Sequence, residues 1–172
     1  MACNSIKSFS YDRCEANLGG IKNVWLANYK ADAITTSEQG DEKIVTAFDG
    51  VEWVHYPMRK NVASMTSTLN TSSDGAVYVS TELSMVFSRM DSAKRMAIMA
   101  LALGEAMAVV EDSNGKLWFL GADAPLTASA GTGETGTAKG DRNAYAITLT
   151  DESLEFPYEV SSEVKPTIPT EA

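Results

Sequence analysis

Three groups of residues in this sequence have types and spacings that could do chemistry. The first is Gly131-Thr132-Gly133-Glu134-Thr135-Gly136, a literal G-x-G-x-x-G. In a dinucleotide site that spacing works only between a strand and a helix, where the pyrophosphate meets the helix N-terminus. Here a polar stretch precedes it, and Glu134 would put a carboxylate into the phosphate cradle. It fails as a P-loop too, because Thr137 stands where the lysine must be. The motif reads as a flexible loop. The second candidate is His55, the single histidine, in Trp53-Val54-His55-Tyr56. A general base needs a positioned partner, and the nearest carboxylate in sequence is Glu52; the residue reads as a histidine on a sheet surface. The third is Asp151, Glu152 and Glu155, which could imitate a glycosidase carboxylate pair but read as a solvated acidic face. No serine sits in a G-x-S-x-G elbow.

Metal chemistry is equally poorly supplied. Cys3 and Cys14 are the only cysteines, too few soft ligands for a zinc site beside one histidine. They read as reduced thiols in an intracellular setting. The sequence therefore leads to the expectation of no catalytic residue, no cofactor and no bound metal. Trp25, Trp53 and Trp118 fall on expected strands, where core packing accounts for them; stacking on single-stranded nucleic acid would need a basic groove alongside.

Charge points the same way. The 172 residues carry a formal net charge of −9, the wrong sign for gripping phosphates. It suits a surface that must not stick to a polyanion. Residues 141–172 contribute seven acids against Arg142 and Lys165, so the bias lies toward the C-terminus. No run of about 18 apolar residues is present, so no membrane-spanning segment is expected, and Met1–Ser10 lacks a signal-peptide pattern. The 44% hydrophobic content is enough for one core.

The elements that would position these residues centre on Ala76–Phe87. Its odd positions Val77, Val79, Thr81, Leu83, Met85 and Phe87 alternate with Ser80, Glu82 and Ser84, predicting a long strand with one buried face. Asp91 is placed to cap a helix over Ser92–Glu105, ended or bent at Gly104. Met96–Leu103 carries no charge, which predicts a helix covered on several sides. Met107–Glu111 and Lys116–Leu120 flank Asn114-Gly115 and predict a hairpin. A second hairpin is expected for Ile44–Phe48 and Val51–Tyr56 around Asp49-Gly50. Ile21–Tyr29, Asn61–Thr71, Tyr145–Thr150 and a short stretch at Phe156–Val160 are expected strands. Ala31–Glu42 and the glycine-rich Gly121–Gly140 are expected loops, the latter long enough to be functional or disordered. Residues 1–20 read as an arm, 21–160 as one domain and 161–172 as a flexible tail.

In this order the elements resemble the tail tube (major tail) proteins of long-tailed bacteriophages, particularly those of phages with Bacteroides-type hosts. The likeness rests on Asn17-Leu18-Gly19-Gly20-Ile21-Lys22, on Gly115-Lys116-Leu117-Trp118-Phe119-Leu120-Gly121, and on Gly131–Thr150 with its T-G-E-T-G-T-A-K-G-D-R-N-A-Y. It covers most of residues 14–160. The resemblance implies a mainly β fold, a β-sandwich with one flanking helix. It implies homo-hexameric rings whose sheets join into a barrel, stacking into a virion tube that conducts genomic DNA without binding it. Tail terminator, baseplate or tape-measure-type proteins would be its partners, and the inner tubes of contractile injection systems look similar. On this reading Glu82 is the lumen-facing candidate, and Gly131, Gly133 and Gly136 belong to an inter-ring loop. A capsid decoration protein on a β-sandwich is the alternative.

Overall fold

The computed structural model describes residues 17–164, apart from 40, 41 and 61. The two cysteines, most of the expected arm and the expected tail from 165 onward lie outside the described residues. Eleven strands and one helix make up the rest. The strands are β1 (Ile21–Asn28), β2 (Ile34–Gln39), β3 (Glu42–Phe48), β4 (Val54–Pro57), β5 (Ala63–Thr71) and β6 (Val77–Ser88), followed by helix α1 (Ser92–Leu103). Then come β7 (Ala106–Asp112), β8 (Leu117–Leu120), β9 (Thr127–Glu134), β10 (Ala144–Ser153) and β11 (Tyr158–Val160). They form a seven-stranded sheet in the order β2-β3-β11-β8-β7-β1-β4 and a four-stranded sheet in the order β5-β6-β10-β9. Both sheets are open, and the architecture is a β-sandwich with a single helix.

The larger sheet buries side chains on both faces. Val24, Leu26, Ala106, Ala108, Val110 and Leu120 point toward the smaller sheet and meet Leu83, Met85, Ile147 and Leu149. The alternate positions, Trp25, Met107, Val109, Leu117 and Phe119, form a second core with Val45, Trp53 and Val160. This is why β7 reads as an unbroken A-M-A-V-V run instead of alternating: a strand covered on both faces has no polar side. The smaller sheet has one covered face, so β6 alternates, with Val79, Thr81, Leu83 and Met85 buried and Glu82 exposed. Val77, the first of the expected inward residues, is exposed because it lies past the end of the core.

The β7–β8 hairpin forms around Asn114-Gly115 as expected, with Gly115 at φ 86°. Asn114 also clamps the chain before β1, its Oδ1 accepting from Leu18 N at 2.8 Å and its Nδ2 donating to Leu18 O at 3.1 Å. The expected strand at Asn61–Thr71 is β5, turning through Asp74-Gly75 into β6. Asp91 caps α1, accepting from Lys94 N at 2.8 Å, and Gly104 ends the helix in extended backbone.

Five expectations are corrected. The hairpin at Asp49-Gly50 does not form: β3 pairs with β2 and β11, while β4 pairs with β1 at the opposite edge. Phe48 and Trp53 instead turn into the second core, where their rings meet edge-on at 5.0 Å. The expected loop Ala31–Glu42 contains β2, whose T-T-S run suits an edge strand. The expected loop Gly121–Gly140 contains β9, paired with β10 along Thr127–Glu134. Finally, α1 is not covered on several sides. None of its residues is fully buried, and only Ile98 and Leu101 pack against the inter-sheet core. The beginning of the expected tail is also docked, since Val164 is buried in the second core.

Candidate functional site

Each chemical candidate from the sequence is accounted for by packing. His55 is buried, not on a sheet surface; its ring stacks on Trp25 with centroids 5.1 Å apart. Asn23 Nδ2 donates to Glu111 Oε2 at 2.8 Å, which turns Asn23 Oδ1 toward His55 Nε2 at 2.9 Å and requires that nitrogen to carry a proton. The chain Glu111–Asn23–His55 crosses β7, β1 and β4 and ties three strands of the larger sheet together.

The glycine motif is divided between a strand and a turn. Gly131 and Gly133 sit in β9, and a Cβ on Gly133 would stand 2.8 Å from Tyr145 Cε1, so glycine makes room for the tyrosine opposite. Gly136 has φ 68°, and a Cβ there would collide with Asp141. The Asp141 carboxylate accepts from Ala138 N and Thr137 N, both at 2.7 Å, and these bonds hold it below the usual carboxylate range. Arg142 pairs with Glu134 across the same turn. Two amides of this loop are thus already taken by its own carboxylate, the opposite of a phosphate cradle.

Asp151, Glu152 and Glu155 do not converge. One residue of offset in β10 sends Asp151 inward and Glu152 outward, and Glu155 lies 3.8 Å from Lys43. Asp151 is not on a solvated face. Its Oδ2 accepts from Ser153 Oγ at 3.0 Å and Gly121 N at 3.3 Å, and Oδ1 is buried with no partner among the described residues. Burial pushes the carboxyl up from its ordinary value, against those two bonds and the opposing pull of the Thr81 hydroxyl and amide. A raised folded-state pKa means a penalty that is absent below the unfolded pKa and grows as pH rises through the folded one. Asp151→Asn keeps both accepted bonds and removes the charge. Its melting temperature relative to wild type is expected to rise by a few degrees between pH 3 and pH 7; an unchanged difference would show that the ionised carboxyl is not penalised.

What remains is a surface. Among the described residues nothing packs on the outer face of the smaller sheet, because both the larger sheet and α1 lie on its inner side. Its cross-strand rungs read Thr66–Glu82–Thr150–Thr127, Ser64–Ser84–Thr148–Ala130 and Thr68–Ser80–Glu152. Ser84 Oγ and Thr148 Oγ1 share a hydrogen bond of 3.0 Å. Glu82 and Glu152 are exposed diagonal neighbours on adjacent strands, about 7 Å apart. The four strands contain no lysine, arginine or histidine, although the chain has 14 Lys and Arg. Glu82 was legible as outward-facing from the alternation of β6. The place of Glu152 beside it was not, since it depends on the β6–β10 register. Such a face can repel or slide past an anion and can offer hydroxyls to water, but it cannot hold phosphate.

The two edges of this sheet are equally distinctive. β5 and β9 carry no lysine, arginine or proline, and only Glu134, at the end of β9, is charged. Proteins that stay monomeric usually protect edges with such residues. No family model matches this chain. No curated protein matches it either.

Proposed function

We propose that this chain is a virion structural protein, the repeating subunit of a phage tail tube that conducts DNA. The observation that carries the reading is the cation-free outer face of a sheet whose two edges are both unprotected. Within the subunit β5 and β9 run antiparallel, because each of the three neighbouring pairs between them is antiparallel. Rotation about an axis parallel to the sheet brings β9 of one copy beside β5 of the next in antiparallel sense. A heterologous contact of this kind closes into a ring when the rotation allows it, and closure removes every edge.

Six copies of the four-stranded sheet would give a barrel of about 24 strands. With strands about 4.8 Å apart and tilted by about 40°, its backbone diameter is roughly 48 Å, leaving room for a hydrated duplex. The covered face, with α1 and the larger sheet, lies outside, and the Glu82 face lines the lumen. Genomic DNA passes without specific binding, and tail terminator, baseplate or tape-measure-type proteins are the partners at the tube ends.

Electron microscopy of concentrated protein tests the reading. Stacked rings or tubes with an open lumen are expected. Monomers or small closed oligomers at every concentration would favour a capsid decoration module instead.

A further inference from the structure

Helix α1 exposes an apolar stripe. Met96, Met99 and Leu103 follow helical spacing on the side away from the core and are 60%, 47% and 83% exposed. Helices at a solvent surface normally put charges there. Beside this stripe α1 lies against β9 and β10, and a groove of about 450 Å³, bordered by Met99, runs between the helix and the small residues Ala128, Gly131 and Gly133 of β9. Arg95 stands on the groove wall with Ile98 and Met99. The helix therefore sits over the inner face of the sheet at its β9 edge, with apolar side chains beside the free strand.

The opposite edge shows the reverse. Register with β6 places Met65 and Leu69 of β5 on the inner face, across from buried Leu83 and Val79. Yet Leu69 is 56% exposed, as is its inner-face neighbour Val77 at 52%. One edge has an apolar cover reaching the margin of its sheet; the other has apolar residues with no cover among the described residues.

We propose that the Met96–Met99–Leu103 stripe of α1 docks on the inner face of the β5 edge, at Leu69 of β5 and Val77 of β6, in a second copy of this chain. The inference rests on the ring reading above, because joining β9 to β5 makes the inner face continuous and brings α1 over the neighbour's bare residues. It goes beyond that reading by assigning the helix: α1 is the clamp across the subunit seam, and its apolar outer face is an interface. The same joint buries the stripe and the bare residues together, so each copy gives one patch and receives the other. The sparse filling between α1 and β9 leaves room for the neighbour's side chains to enter the groove.

The test uses the full chain with Leu103→Glu, Leu69→Glu and the pair Leu103→Glu with Leu69→Lys. Leu103 and Leu69 are both exposed in the subunit, so circular dichroism and melting temperature of the monomer are expected to stay at wild-type values. Each single substitution is expected to raise the critical concentration for assembly at least about tenfold, as loss of one buried leucine implies. The charge-complementary pair is expected to recover most of it. Assembly of Leu103→Glu at the wild-type concentration would overturn the helix assignment while leaving the ring reading intact. If wild type itself formed no rings, the ring reading would fail, and this inference with it. A wild-type species that stops at a dimer and is abolished by Leu103→Glu but not by Leu69→Glu would mean helix pairing with helix, and would also overturn the proposal.

Discussion

Ser67→Pro is expected to leave the subunit folded and to stop rings from closing. The reason lies in the hydrogen-bond parity of β5. Val86 N donates to Val62 O at 2.9 Å, and Ala63 is opposite Met85. Even-numbered residues of β5 therefore direct their backbone groups to β6, and odd-numbered residues direct theirs to the free edge. Ser67 N–H belongs to the second set, so proline there removes no bond of the β5–β6 ladder. Proline is tolerated in a strand at such positions. Its local cost is the hydrogen bond between Ser67 Oγ and Thr81 Oγ1 at 3.0 Å, about 1 kcal/mol, or a fall of roughly 2–4 °C in melting temperature. At the seam the same change deletes a donor and puts a ring where the next strand must approach. Ser67→Ala is the control, since it loses the hydroxyl but keeps the N–H. Assembly followed by light scattering and microscopy should survive Ser67→Ala and be lost in Ser67→Pro. Normal rings in Ser67→Pro would show that β5 is not the joining edge.

The second large effect concerns the charge of the outer face. Glu82→Lys combined with Glu152→Lys turns a face with two carboxylates and no cation into one with two ammonium groups. Neither side chain touches the core, and opposing residues Thr66, Thr150 and Ser80 are neutral, so the fold and the edges are untouched. Around the proposed ring the change would be repeated in every copy, placing a belt of positive charge at one level of its lumen. The expected result is a tube that assembles normally but retains duplex DNA. Retention should weaken steeply with salt, because each phosphate contact releases a counterion. Between about 50 and 200 mM salt, six to ten such contacts would change affinity by roughly 10³–10⁵. Wild-type tubes should show no retention at either salt, since screening over about 8 Å confines the repulsion of the carboxylates to the wall. If the double variant assembled and still passed DNA freely, the Glu82 face would lie outside the lumen. If it failed to assemble, that face would be part of a subunit contact.

Both expectations depend on the smaller sheet, and the two levels of description contribute differently to it. Alternation in Ala76–Phe87 was enough to place Glu82 on the face opposite Leu83 and Met85, because a period of two is a local property of extended backbone. Capping by Asp91 and the turn at Asn114-Gly115 were legible for the same reason, since both act within a few residues. The predominance of strand over helix followed from these patterns together.

Pairing was not legible. Asp49-Gly50 carries as good a turn signal as Asn114-Gly115, yet the strands on either side of it go to opposite halves of the larger sheet, β3 beside the β2 edge and β4 at the other edge. What decides this is the second core, where Phe48 meets both Trp53 and Phe119, and no local pattern encodes that meeting. The strand β9 was hidden because its glycines and alanines have low strand propensity; ladder bonds to β10 and the space required by Tyr145 stabilise it instead. The apolar run Met96–Leu103 was read as a covered helix because burial usually follows hydrophobicity. In the subunit only one side of α1 is covered. By itself the sequence determined which residues alternate, cap and turn, since those depend on neighbours along the chain. Which edges stay open, which carboxylates share a face and which apolar stripe is left bare were decided by contacts between distant strands, and those exist only once the sheets have assembled.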